Sequence, residues 1–74
     1  MNHFSTKDLY VAGLIYAKGI QFLGVEREGV VCWFLFGDEE KASTEQEAYF
    51  GRKALVNAKD YAEAIKTLKH LVFS

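Results

Sequence analysis

Leu9 to Ala17 is an unbroken apolar run apart from a glycine at position 13. Ser5 followed by Asp8 reads as a capping box, with Phe4 and Leu9 as its hydrophobic staple. The pattern predicts a helix from about Thr6 to Lys18, closed by Gly19, with Lys18 at the negative end of the helix dipole. Two strand-like runs follow, Ile20–Val25 and Val30–Phe36, separated by Glu26-Arg27-Glu28-Gly29. So short a connection predicts an antiparallel hairpin. In the second run Val30, Cys32, Phe34 and Phe36 alternate with Val31, Trp33 and Leu35, so both faces are apolar. Both are expected to be covered, because an open apolar strand invites aggregation.

Gly37-Asp38-Glu39-Glu40-Lys41 reads as a solvated loop, after which Ser43 and Gln46 resemble a second capping box. They predict a short helix to Phe50, stopped by Gly51. Residues 52–56 admit either a third short strand or a loop. Asn57 and Asp60 then cap a last helix over Ala58–Val72, with Val56 and Tyr61 as its staple. Its apolar stripe is Tyr61, Ala64, Ile65, Leu68, Leu71 and Val72. The expected fold is α+β: three helices packed with a small antiparallel sheet, in the order helix, strand, strand, helix, optional strand, helix, as one domain over 1–74. Replacing Ser5 or Asn57 by Ala should then cost about 0.5–2 kcal/mol.

The opening Ser5-Thr6-Lys7-Asp8-Leu9-Tyr10-Val11-Ala12, the Lys18-Gly19 helix end and the strand Trp33-Phe34-Leu35-Phe36 form one set of motifs. Tyr49, Gly51, Val56, Ala58 and Leu68-Lys69 complete it. Through these residues the chain resembles a family of small bacterial and phage-associated domains of unknown function, over roughly residues 4 to 73. The resemblance implies a stand-alone bacterial or mobile-element protein rather than a fragment of a larger enzyme. It assigns no activity, cofactor or catalytic residue.

Seventy-four residues leave no room for a nucleotide-binding fold or a two-domain cleft. Half the chain is apolar and 15% is aromatic, which sets it apart from disordered proteins. The lone Cys32 excludes an intrachain disulfide and points to a reducing, cytoplasmic setting. The nine-residue apolar run is too short to span a membrane, which takes about 20 residues, and Asp8 ahead of it argues against a signal peptide. His3, Cys32 and His70 share no metal-ligand spacing, so neither a metal nor a cofactor is expected. A mid-strand thiol reads as a small hydrophobe rather than a nucleophile. Acids of the segments 38–40 and 45–47 read as solvated surface, and no catalytic residue is expected.

Two features point beyond the fold. Charge is segregated, with a net of −5 over residues 26–48 and +3 over residues 49–74, although the whole chain carries only −1. Arg52, Lys53, Lys59, Lys66 and Lys69 are candidate phosphate contacts in a nucleic-acid reading, which a steep salt dependence would reveal. The stronger feature is apolar excess. Leu9, Ala12, Gly13 and Tyr16 share one face of the first helix, leaving Val11, Leu14 and Ile15 to be covered by something else. Glycine in mid-helix costs about 1 kcal/mol relative to alanine, so Gly13 signals close approach by another element. The expectation is a small interaction module with an unidentified protein partner and a homodimeric habit, its interface formed by Val11, Leu14, Ile15 and Trp33.

Overall fold

The computed structural model describes residues 3–73. It is α+β, with three helices and a three-stranded antiparallel sheet. The elements run β1 (Phe4–Thr6), α1 (Leu9–Ala17), β2 (Phe22–Glu28), β3 (Val31–Phe36), α2 (Glu39–Phe50) and α3 (Ala58–Phe73). The hairpin β2–β3 forms as expected, but β2 is shifted along the chain, starting at Phe22 and ending at Glu28, and β3 starts at Val31. Glu26, Arg27 and Glu28 belong to β2 and pair with Trp33, Cys32 and Val31, so the turn shrinks to Gly29-Val30.

The third strand lies at the opposite end of the chain from residues 52–56. Phe4, Ser5 and Thr6 pair with Phe36, Leu35 and Phe34, which makes β3 the central strand in the order β1-β3-β2. This corrects the first helix start. Ser5 is a ladder residue, and the cap is Asp8, whose Oδ1 accepts from Tyr10 N at 2.9 Å and Val11 N at 3.2 Å. The exchange costs little locally, because Asp is as good a cap as Ser. It brings Phe4 and Thr6 onto the core face of the sheet, where both are buried. The second helix also starts earlier than expected. Asp38 Oδ1 accepts from Lys41 N at 3.1 Å, and Glu39 and Glu40 occupy the first turn, where the helix dipole favours acids.

The expected third helix stands as read: Asn57 Oδ1 accepts from Asp60 N at 3.0 Å. Residues 52–56 are irregular because α2 ends in a Schellman turn that leads away from any strand. Lys53 N donates to Ala48 O at 2.8 Å and Arg52 N to Tyr49 O at 3.1 Å. The residue placed in the left-handed region by this turn is Arg52, with φ 61°, rather than Gly51. Helix α1 closes with the same two bonds, from Ile20 and Gly19 to Ile15 O and Tyr16 O, and there Gly19 takes φ 83° without penalty.

The core lies between α1 and the inner face of the sheet. Val11, Ala12 and Ile15 pack with Phe4, Phe34, Phe36, Ala42 and Leu68. Around them Phe22 stacks at 5.4 Å on Phe36 and at 5.5 Å on Tyr16. Helix α1 also contacts α2 and α3, and its residues Val11 to Ile15 are buried within the chain while Tyr10 stays exposed. The close approach signalled by Gly13 comes from α3. A Cβ at position 13 would sit 3.1 Å from Ile65 Cγ1, nearer still to Cδ1, and 3.5 Å from Tyr61 Cε1.

Only Ala64 and Leu68 of the α3 stripe are fully buried, and Leu71 is 47% exposed, because α3 covers one side of α1 rather than lying in the centre. At the other end Lys18 Nζ donates to Leu55 O at 2.9 Å and stands 3.9 Å from Glu45, tying α2 and the loop after it to the end of α1.

Two stability measurements test this arrangement. Asp8→Ala should cost about 0.5–2 kcal/mol in urea denaturation, whereas Ser5→Ala, which removes no cap, should cost less. Gly13→Ala gains about 1 kcal/mol of helix propensity but crowds Ile65, where overpacking costs about 1–3 kcal/mol, so a net loss of about 1 kcal/mol is expected. In an Ile65→Ala background the crowding disappears, and the same substitution should stabilise by about 1 kcal/mol. A loss of equal size in both backgrounds would disprove the contact.

Candidate interaction surface

Alternation along β3 sends Phe34 and Phe36 into the core and Val31, Trp33 and Leu35 to the other side. Register extends that outer face to the neighbouring strands. Ser5 lies beside Leu35, Glu26 beside Trp33 and Glu28 beside Val31, with Leu23 half exposed near the irregularity between Phe22 and Gly24. The partly buried hydrophobics that pack on the core are Leu9, Tyr16, Ile20, Phe22, Val25, Tyr49 and Val72. None belongs to the outer face. The expectation that both faces would be covered is therefore corrected: one carries the helices and the other is bare. Val31, Trp33 and Leu35 are half-buried; β2 runs beside all three, and β1 reaches only Leu35. The two glutamates keep the strip wet, and charges with a bulge along β2 protect the free edge.

Val11, Leu14 and Ile15 do not reach any interface. Their exposures are 0%, 1% and 0%, since the sheet, α2 and α3 together surround the helix that carries them. Of the four expected interface residues only Trp33 lies on an open face, and it is the one aromatic side chain there. The sequence reading missed Glu26 and Glu28 because it placed them in the turn. The signal was present: a two-residue turn at Gly29-Val30 extends the pairing and sets both acids beside the aromatic strand.

Arg27 turns to the opposite side. Its Nη2 donates to Val72 O at 2.9 Å and its Nη1 reaches Cys32 Sγ at 3.4 Å, fastening the hairpin to the last turn of α3. A cation at the carbonyl end of a helix is favourable. Beside this clasp a groove of about 270 Å³ is lined by Leu9, Val30, Cys32, Val72 and Phe73, with Lys7 at its rim.

The five candidate phosphate contacts are all exposed. Arg52 and Lys53 follow α2, while Lys59, Lys66 and Lys69 are spread along α3, the first and last about 15 Å apart on the helix axis. Lys66, Lys69, His70 and Phe73 share one shallow depression of about 290 Å³. Among the described residues no three His, Cys, Asp or Glu side chains converge as a metal site requires. No helix of the described residues is long and apolar enough to cross a membrane.

Helices on one face of a three-stranded sheet and a bare, acid-flanked strip on the other define a small two-layer α+β domain. The chain belongs to the family described as Domain of unknown function (DUF5659), whose model matches residues 1–74. Comparisons with curated proteins and with solved structures found no match.

One titration is perturbed by the packing. Partial burial, with smaller contributions from Tyr49, Asp8 and Tyr10, pushes the Tyr61 hydroxyl above its usual value, and that hydroxyl donates to Tyr10 O at 3.0 Å. A raised pKa means that the folded state holds the proton more tightly, so this contribution is present below about pH 10 and is lost as pH rises further. Urea midpoints on either side of about pH 10 should fall more steeply for the native chain than for Tyr61→Phe. Parallel declines would show that Tyr61 does not carry this linkage.

Proposed function

We propose that this domain is a protein-interaction module that docks a partner on the outer face of its sheet. The observation that supports it is the bare strip of Val31, Trp33 and Leu35 within a chain whose other sheet face carries the core. An apolar centre with a polar rim is the anatomy of a recognition surface, and tryptophan is among the residues most often carrying binding energy. The reading assigns binding rather than catalysis and calls for no cofactor. Its setting, inferred from the lone free thiol and the family resemblance, is the reducing cytoplasm of a bacterium or of a phage-infected cell. Self-association would now have to use the sheet, because α1 is enclosed.

A second reading, contact with nucleic-acid phosphates, draws support from the α3 depression where Lys66, Lys69 and His70 surround exposed Phe73. Against it stand Glu63, between Lys59 and Lys66 along the helix, and the helix C-terminus, whose partial negative charge suits cations and repels anions.

Site-specific photocrosslinking in cells distinguishes these readings. A photoreactive residue at position 33 should give adducts with a protein, and one at position 66 should give none. Absence of protein adducts at 33 would sink the first reading, and nucleic-acid adducts at 66 would replace it with the second. Adducts between two copies at 33 would identify the partner as the chain itself.

A further inference from the structure

We propose that the outer sheet face receives a basic segment of a partner protein, with an arginine or lysine lying over Trp33 beside Glu26 and Glu28. The inference rests on the interaction-module reading and specifies the partner's chemistry. Register carries it. Glu26 is directly opposite Trp33 and Glu28 directly opposite Val31, so both carboxylates project from the same face as the indole. Side chains directly across a ladder stand about 5 Å apart and diagonal ones about 7–8 Å, so both carboxylates lie within reach of a cation seated on the ring. An aromatic face attracts such a cation through its quadrupole, and adjacent carboxylates add charge-assisted hydrogen bonds. Val31 and Leu35 offer apolar surface for the aliphatic stem that carries it.

The acids are not neutralised by their neighbours. Arg27, between them in sequence, is turned to the other face and held by Val72 O and Cys32 Sγ. The ion pair found among the described residues joins Lys18 and Glu45 and involves neither Glu26 nor Glu28. A second copy fits this face poorly. A two-fold contact of the face with itself would bring the glutamates of both chains together, and a contact with the basic side of α3 would be heterologous, favouring open chains over a closed dimer. Charge complementarity selects a basic partner.

Trp33 is the chain's only tryptophan, so its fluorescence reports on this face alone. The whole chain is titrated with an arginine–serine repeat peptide, and with a glutamine–serine repeat of equal length as control. The arginine peptide should give a saturable spectral change that added salt weakens, and the glutamine peptide should give none. Glu26→Gln combined with Glu28→Gln should weaken binding by about tenfold, with the urea midpoint unchanged because both side chains are exposed.

No response to the arginine peptide, an equal response to the glutamine peptide, or undiminished binding by the double variant would each overturn the proposal. A fluorescence change with protein concentration alone, accompanied by twice the chain mass in sedimentation equilibrium, would assign the face to a second copy and also overturn it. Protein adducts at position 33 with no response to the arginine peptide would reject the basic partner and leave the interaction module standing.

Discussion

Helix α1 presents apolar side chains in every direction, and the rest of the chain has to bury its middle, Val11 to Ile15, while Tyr10 stays exposed. Most of the structure answers that demand. The sheet supplies one wall, through Phe4, Phe34 and Phe36, and α2 supplies another at Ala42. The last wall is α3, which closes only because position 13 has no side chain and Ile65 can move into the space. Fully burying a side chain such as Leu14 contributes about 1.5–3 kcal/mol, which outweighs the roughly 1 kcal/mol that a mid-helix glycine costs.

Enclosing α1 engages all three helices with one side of the sheet, and the opposite side is left bare as a consequence. None of the described elements covers it. The outer face stays soluble through side-chain chemistry instead, with Glu26 and Glu28 of β2 beside the apolar strip of β3. Two polar clasps hold the arrangement at its ends, Arg27 between hairpin and α3, and Lys18 between α1 and the loop after α2. Both satisfy backbone carbonyls outside the regular ladders, where an unpaired group would be costly if buried.

The candidate surface was partly legible. Trp33 stood out as an apolar residue on the second side of a strand already apolar on the first, and it does lie on the open face. Its companions Val11, Leu14 and Ile15 were placed at an interface by the same reasoning, and the structure buries them. Periodicity counts apolar faces; it does not count the elements available to cover them. Helix α3 was expected to bury a full stripe, yet it crosses α1 at Gly13 and buries only Ala64 and Leu68 completely.

Local signals settled the hairpin, the existence of three helices, the Asn57 cap and the Gly19 terminus, because each depends on hydrogen bonds spanning a few residues. The sequence alone also determined that Gly13 faces a close neighbour, since a helix keeps glycine at its centre at a cost. Tertiary structure decided the rest. Ser5 and Asp8 offer competing starts for one helix, and the choice fell to Asp8 once β3 recruited Phe4 to Thr6 as an edge strand, a pairing across some thirty residues that no local pattern specifies. The identity of the bare face was settled in the same way: β3 is apolar on both sides, and which side becomes the core depends on where α1 packs.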